Sequence, residues 1–395
     1  MNNILDKAEY TCSGCGACHA VCPVKAIKLK KDDYGFFVAD IDENRCISCG
    51  LCKTVCTRYD QSLNGVNLLN GGLYALRSSD QPTVKNCSSG GIASELAEYG
   101  ISKGYKVTGV CYDLENNIAC HKTASTVEEI KEFAGSKYLQ SNSQIFREAI
   151  KEKGFIFGTP CQIAGLHKVL SEWRKRNDFI LIEIFCHGVP SYKLWDEELK
   201  LISKKLGSNQ FDSLQFRYKK YDWHMYCIKT EKNGKIYYGE REKDLFWQVY
   251  FEDMLLSEAC YNCRFRKENS YADIRLGDYW GRKYSDDSKG VSAVFCMTEN
   301  GRKIIGDLIH NDKVIELEKT SNEEMLQYQN MKGYQHGELH KEVLERLKNC
   351  DDINKVIEYY HSKLPVKRKI KGILLKLSSI IPGSLRYTIK KNIKI

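Results

Sequence analysis

The chain has 395 residues, 42% hydrophobic and 28% charged, the balance of a soluble globular protein long enough for two or three domains. No apolar run approaches the roughly 18 residues of a membrane-spanning helix. The opening Met1–Asp6 lacks the basic-then-apolar pattern of a secretory signal, so a reducing cytoplasm is expected, and eighteen cysteines become the unusual feature.

The first of them form two runs. Cys12-x2-Cys15-x2-Cys18-x3-Cys22-Pro23 is followed by Cys46-x2-Cys49-x2-Cys52-x3-Cys56-Thr57. This spacing is that of ferredoxins with two 4Fe–4S clusters, in which the fourth Cys of each run ligates the other cluster. One ligand set is then Cys12, Cys15, Cys18 and Cys56, and the other Cys46, Cys49, Cys52 and Cys22. Small residues between the ligands leave backbone N–H groups free to turn towards cluster sulfurs. Zinc knuckles use fewer ligands per turn, and a disulfide scaffold does not suit a chain with no secretory signal. Residues 1–62 are therefore read as an α+β ferredoxin module built from an internal repeat, each half a short strand pair with a short helix. Residues 25–30 and 33–38 read as a hairpin, and a polar connector runs from Asp60 to Gly72.

From Leu73 strands alternate with helices. Strands are expected near 73–76, 105–112 with a partner at 118–122, 155–157 and 179–185. Helices are expected over 92–103, 126–133, 144–153, 162–176 and 191–205. This is an α/β pattern, and ligands in such folds collect at the carboxyl ends of strands, which makes the turns at 158–161 and 186–190 site candidates. Antiparallel strands follow at 211–217, 225–230 and 235–239, then a helical stretch over 243–256, further strands over 273–281 and 290–295, and a polar, helical region from 299 to about 360. The domains are drawn at 73–300 and 301–395.

Several motifs occur in order along this part: Ser88-Ser-Gly-Gly-Ile-Ala-Ser94, Gly135-Ser-Lys-Tyr138, Gly158-Thr-Pro-Cys-Gln-Ile-Ala-Gly165, Cys186-His-Gly-Val-Pro-Ser191, Cys260-x2-Cys263 and Gly277-Asp-Tyr-Trp-Gly281. Together with the ferredoxin module they resemble the coenzyme F-420 hydrogenase/dehydrogenase beta-subunit family over residues 5–300. The resemblance implies an FAD-binding iron–sulfur oxidoreductase and an α/β flavin-binding domain. In that reading Ser88, Ser89, Gly90 and Gly91 cradle the pyrophosphate at a helix start; an ordinary N-cap loop fits the same residues. Ser136, Lys137, Tyr138, Thr159, Pro160 and Gly188 are placed at the flavin on the same basis. His187 would orient the flavin or move protons, or be structural. Asp278 reads as a turn residue. Cys161, Cys186, Cys260 and Cys263 suit a third 4Fe–4S cluster; a zinc site, buried thiols, or a nucleophilic Cys161 activated by a helix dipole remain open. Cys87, Cys111, Cys120, Cys227, Cys296 and Cys350 lack ligand spacing and read as core or incidental.

The net charge of +9 resides in the tail: residues 363–395 carry ten Lys or Arg and no acid. Interleaved Leu and Ile make this a basic amphipathic stretch, suited to the inner face of a membrane or to packing on the body. It lacks nucleic-acid motifs. The expected function is passage of electrons from reduced ferredoxin or another redox protein through the clusters and FAD to an organic substrate, sugar- or lipid-linked if the family's association with surface polysaccharides applies. The alternative is an electron-transfer or coenzyme F-420-linked subunit serving a partner enzyme; no residue reads as a specific deazaflavin contact. A catalytically silent zinc scaffold is a third reading.

Overall fold

The computed structural model describes residues 2–4, 11–59, 63–261, 263–319, 325–326, 329, 337–349, 352–366 and 385. Helices α1 (Ala17–Val21) and α2 (Leu51–Val55) each open on a left-handed glycine, Gly16 at φ 83° and Gly50 at φ 81°, a conformation that glycine adopts without a Cβ clash. Between them β1 (Ile27–Lys31) and β2 (Phe37–Ile41) pair antiparallel, with Ile27 opposite Ile41 and Lys31 opposite Phe37. Asp32 closes the turn by accepting the N–H groups of Tyr34 and Phe36. Among the described residues this is the module's one strand pair, not one per half; residues 5–10 and 60–62 lie outside them.

The chain then runs through β3 (Val66–Asn67), β4 (Gly72–Ser78), α3 (Gln81–Asn86), α4 (Ile92–Ser102), β5 (Lys106–Asp113), β6 (Ile118–Ala124), α5 (Val127–Ile130), α6 (Phe146–Ala149), β7 (Gly154–Gly158), α7 (Pro160–Glu172), β8 (Phe179–Ile184) and α8 (Tyr192–Leu206). After β9 (Ser213–Gln215), β10 (Cys227–Lys232) and β11 (Lys235–Glu240) come α9 (Leu245–Tyr250), α10 (Glu258–Tyr261), β12 (Asn269–Ser270), β13 (Ile274–Asp278), β14 (Ser292–Cys296), α11 (Glu299–His310), β15 (Val314–Lys319), α12 (Glu338–Lys348) and α13 (Ile353–Lys363). Eight strands form the main sheet, in the order β15-β4-β14-β13-β8-β7-β5-β6. The centre, β13-β8-β7-β5, is parallel, as the alternation of strands and helices requires. The flanking strands are antiparallel.

Several expectations shift. The helical reading of 299–360 is interrupted by β15, which pairs with β4 at the sheet edge. The strand over 211–217 shrinks to β9, and the helical stretch over 243–256 to α9 followed by turns. The helices at 126–133 and 144–153 shorten to α5 with a following single turn and to α6. Helix α3, capped by Asp80 accepting the N–H of Thr83, was not foreseen. The basic tail beyond 366, Leu385 apart, lies outside the described residues. No described helix is long and apolar enough to cross a membrane.

The ferredoxin module lies against the sheet domain. One apolar core runs from its hairpin (Ile27, Leu29, Phe37) through Trp195 of α8 to Val343 and Leu347 of α12. The Gln140 amide continues the hydrogen bonding of β2: its Oε1 accepts the Phe37 N–H at 2.6 Å and its Nε2 donates to Phe37 O at 2.9 Å. Arg147 donates to Cys22 O at 2.7 Å and also to His19 O. Helix α7 meets α1 at Gly165, where a Cβ would stand 3.0 Å from Ala17 Cβ and 3.1 Å from Cys15 Sγ.

That contact makes a prediction. Gly165→Leu is expected to overpack the junction and cost about 1–3 kcal/mol. Gly306→Ala, in α11 where an added Cβ meets nothing within 4 Å, is expected to stabilise by about 1 kcal/mol. Denaturant unfolding of the two variants checks both signs; equal effects would contradict the account of the junction.

Candidate functional site

The eight thiols of the two runs sort into two cavities. Cys12, Cys15, Cys18 and Cys56 border one, and Cys22, Cys46, Cys49 and Cys52 the other. The crossing is done by the two short helices: α1 carries Cys18 to the first cavity and ends at Cys22 in the second, while α2 carries Cys52 to the second and ends at Cys56 in the first. Backbone N–H groups point at the sulfurs, Gly14 to Cys12 and Ala26 to Cys22, both at 3.3 Å. Burial pushes the Cys15 thiol up to about 12, with Cys56 adding to it, so this thiol is a poor anion until a cation takes the proton's place. Cys49 is exposed. Among the described residues no three His, Cys, Asp or Glu converge as around a single metal ion.

A third cavity is bordered by Cys161, Cys186, Cys260 and Cys263, so the structure brings together all four of the central cysteines. Cys161 sits in the first turn of α7, whose start is set by a Thr159–Gln162 capping box and Pro160. Its helix position does not make it a thiolate. Burial pushes the thiol well above its ordinary value, reinforced by Cys263 and Cys186, and the Thr159 hydroxyl 3.3 Å away only partly offsets this. Burial therefore works against the helix dipole at this thiol. Gly188, at φ 107°, lets the 186–190 loop close on α10: a Cβ there would meet Leu256 Cδ1 at 2.9 Å. Ser13 and Arg58 border both this cavity and that of Cys12.

Beyond it, a cavity of about 270 Å³ opens at the carboxyl ends of β7, β8 and β13, where ligands gather in parallel sheets. Thr159, Gln162, Cys186 and Gly188 belong to its wall and to that of the four-thiol cavity. The remaining wall includes the start of α4, whose N-cap Gly91 has φ 90° and gives the helix no side-chain cap. The first N–H groups of an uncapped helix are suited to an anion. Ser88 accepts the Ser136 N–H at 2.8 Å, joining two of the sequence motifs.

Ser88, Ser89, Gly91, Ser136, Lys137, Tyr138, Thr159, His187 and Gly188 all line this cavity. Gly90 and Pro160 do not. Gly90 serves packing, since a Cβ there would stand 2.6 Å from Leu76 O and 2.7 Å from Ser292 N; Pro160 borders the four-thiol cavity instead. Lys137 is no free cation. Its ammonium donates to the carbonyls of Glu132, Phe133 and Ala134 at 2.9–3.0 Å, which uses all three of its N–H donors. Burial lowers its pKa to about 8. His187 is lowered to about 4 by burial and then by Arg266, so its imidazole is neutral at pH 7, and neither ring nitrogen has a hydrogen-bond partner among the described residues.

Asp278 does open a tight turn, its carbonyl accepting the Trp280 N–H at 3.0 Å, but its side chain is engaged as well. The residue ends β13, and its Oδ2 accepts from Arg217 Nη1 at 2.9 Å. Arg217, whose side chain is 1% exposed, also donates to the Tyr138 hydroxyl at 2.9 Å and to Trp223 O at 2.5 Å. Its guanidinium lies 4.4 Å from the Tyr226 ring centre. Arg217 and Tyr226 were missed from the sequence: 61 residues separate Arg217 from Asp278, and no motif spacing links them; Trp280 stands in the Gly277–Gly281 motif but carried no assigned role.

Residues 151–323 match the family model for the C terminus of the coenzyme F420 hydrogenase/dehydrogenase beta subunit, and residues 11–58 match that of a 4Fe-4S dicluster domain. The chain carries both domains. It is an iron–sulfur protein of oxidoreductase type. The dicluster domain contains all eight thiols of the two runs, and the beta-subunit domain contains the four central cysteines, His187 and the Arg217–Asp278 pair. Ser88–Gly91 and Ser136–Tyr138 precede that domain. Among curated relatives, coenzyme F420 hydrogenase subunit beta of Methanococcus voltae is 27% identical over 246 residues, covering 59% of this chain and 79% of that one. An uncharacterized protein of Methanocaldococcus jannaschii is 27% identical over 191 residues, covering 40% and 53%. Among solved structures, the F420-reducing [NiFe] hydrogenase complex from Methanosarcina barkeri aligns at a TM-score of 0.46 with 18% identity, covering 76% of this chain and 93% of that one.

The buried ion pair of the beta-subunit domain is open to test. Arg217→Met is expected to cost about 3–5 kcal/mol by leaving Asp278 without its counter-charge. In a double-mutant cycle with Asp278→Leu, the paired change should cost less than the sum of the singles by about 1 kcal/mol or more. Additive effects in denaturant unfolding would show that the pair is uncoupled.

Proposed function

We propose that this protein is an FAD-dependent iron–sulfur oxidoreductase in which electrons travel from the exposed Cys49 side inward. The reading is carried by one observation: the thiol-lined cavities lead in file to the cavity at the sheet edge. The Cys22/Cys46/Cys49/Cys52 set lies outermost and is joined through α1 and α2 to the Cys12/Cys15/Cys18/Cys56 set. Ser13 and Arg58 connect that set to the four central cysteines, and Thr159, Gln162, Cys186 and Gly188 connect those to the 270 Å³ cavity.

The donor sets fit the groups assigned to them. Each thiol cavity has four cysteines, the complement of one 4Fe–4S cluster. The last cavity combines an uncapped helix start with aromatic walls, which suits a pyrophosphate joined to a planar ring. When bound, FAD would exchange single electrons with the clusters and a hydride with the substrate. The α4 start and the Ser88–Gly91 loop would hold the pyrophosphate. Lys137 would act indirectly, by fixing the 132–137 segment that presents Ser136 and Tyr138. His187, neutral at pH 7, would offer a ring nitrogen at the substrate as a hydrogen-bond or proton partner. Asp278 and Trp280 would meet the substrate at the opposite end. In this reading the donor is a reduced ferredoxin or similar redox protein. The substrate is an organic molecule, sugar- or lipid-linked if the family's surface-polysaccharide association extends here, and the basic tail would then favour the inner face of a membrane.

Similarity to a hydrogenase subunit supports a second reading, in which the same cofactors serve a partner enzyme or coenzyme F420 itself. The first test is anaerobic purification with iron, sulfide, zinc and flavin counted per chain. The expected result is roughly twelve iron and one FAD, falling to roughly eight iron in Cys161→Ser with the two N-terminal clusters intact. Full iron without flavin would sink the flavoenzyme reading, and eight iron in the unaltered chain would release the central cysteines from a cluster role. Turnover of reduced coenzyme F420 by the isolated chain would decide for the second reading's deazaflavin form.

A further inference from the structure

Two cysteines outside the cluster sets face each other across the edge of the main sheet. Cys111 in β5 and Cys120 in β6 are register partners, and their sulfurs stand 3.4 Å apart. Opposed residues of antiparallel strands have Cα atoms about 4.5–5.5 Å apart, within the range of about 4.4–6.8 Å that a disulfide spans. Closing the bond thus needs side-chain rotation without movement of the strands. Cys111 also borders a groove of about 670 Å³ that shares Ser136 and Lys137 with the sheet-edge cavity.

The environment makes the two thiols unequal. The hydrogen bond with Cys120 and, against burial, the Lys137 ammonium lower the Cys111 thiol from its ordinary value. Cys120 is pushed up, first by that same hydrogen bond and then by burial. The two thiols are in hydrogen-bond contact and only Cys111 borders the groove, which divides the roles: Cys111 attacks and Cys120 resolves. Cys227 and Cys296 are buried without a second thiol at hydrogen-bond distance and show neither feature.

We infer that Cys111 and Cys120 form a thiol–disulfide exchange site that accepts small-molecule disulfides from the groove. The Cys111 thiolate attacks one sulfur of the disulfide; a mixed disulfide forms, the original S–S bond breaks, and the released thiolate takes up the proton Cys111 had lost to water. Cys120 then attacks the Cys111 sulfur and its proton leaves with the second thiol. The protein pair loses two electrons and two protons, and the small molecule is reduced to two thiols. The site is independent of the flavin reading and uses none of the cluster cysteines.

The probe is glutathione disulfide, added anaerobically to the purified holoprotein, followed by acid quench, denaturation, alkylation and tryptic mapping. Both cysteines fall in one tryptic peptide, Val107–Lys122. The expected product is that peptide without alkyl groups and two hydrogens lighter than its reduced form, appearing at least about tenfold faster than any loss of alkylation at Cys227 or Cys296. Cys120→Ser should trap Cys111 as a mixed disulfide with glutathione, and Cys111→Ser should abolish both products. Iron counted in the same samples should stay constant. The inference is overturned if the peptide remains doubly alkylated at the pace of Cys227 and Cys296, if Cys120 reacts equally fast in Cys111→Ser, or if the bridge forms only after iron is lost.

Discussion

Each 4Fe–4S cubane demands four thiolates from backbone that can supply only three in one tight loop. The chain meets this demand twice with two five-residue helices, each delivering one sulfur to either cavity. Neither half can therefore complete its ligand set alone. On a larger scale, the four central cysteines come from α7, the loop after β8, α10 and the segment just beyond it, which meet only when the sheet is assembled. Ser13 and Arg58 of the module border the central four-thiol cavity as well as that of Cys12, so module and sheet approach closely between the two.

That approach is built from small contacts. A glycine in α7 admits α1, and the Gln140 amide extends the pairing of β2. A backbone-like bond from a side chain ties register and distance at once, which a purely apolar contact does not. The fully buried Arg275 stands 3.4 Å from Glu183; burial raises the Cys186 thiol, and Arg266 and Arg275 work against that rise. Glu183 keeps the buried Arg275 cation from standing uncompensated.

What could be read from residues alone divides along physical lines. The eight cysteines of the module were legible because cluster geometry fixes their spacing. The central four were legible as a group, although the argument for a thiolate at Cys161 weighed the helix dipole above burial, and burial is the larger effect there. Lys137 illustrates a different limit: a lysine just past a short helix can turn back onto its last carbonyls, and only the fold shows that its donors are spent. Gly90 belonged to a cofactor-like motif yet serves the approach of a loop to β4 and β14. The strand β15 did carry a period-two signal in Ile315-Glu-Leu-Glu318, which the surrounding helical pattern obscured. Arg217–Asp278 had no local signal, because pairing across the sequence is decided by the sheet's topology.

These corrections change the electrostatic character of the sheet-edge cavity. The Lys137 ammonium is spent on hydrogen bonds to three carbonyls, His187 is neutral, and Arg217 is balanced by Asp278. Among the described residues lining the cavity, the positive potential left unspent is that of the α4 start and its loop. A cavity with one anion-attracting end and one internally neutralised, aromatic end has a direction. A ligand with a charged chain and a flat ring would enter in one orientation, ring towards the thiol cavity shared through Cys186, without any side chain having to recognise the ring by charge.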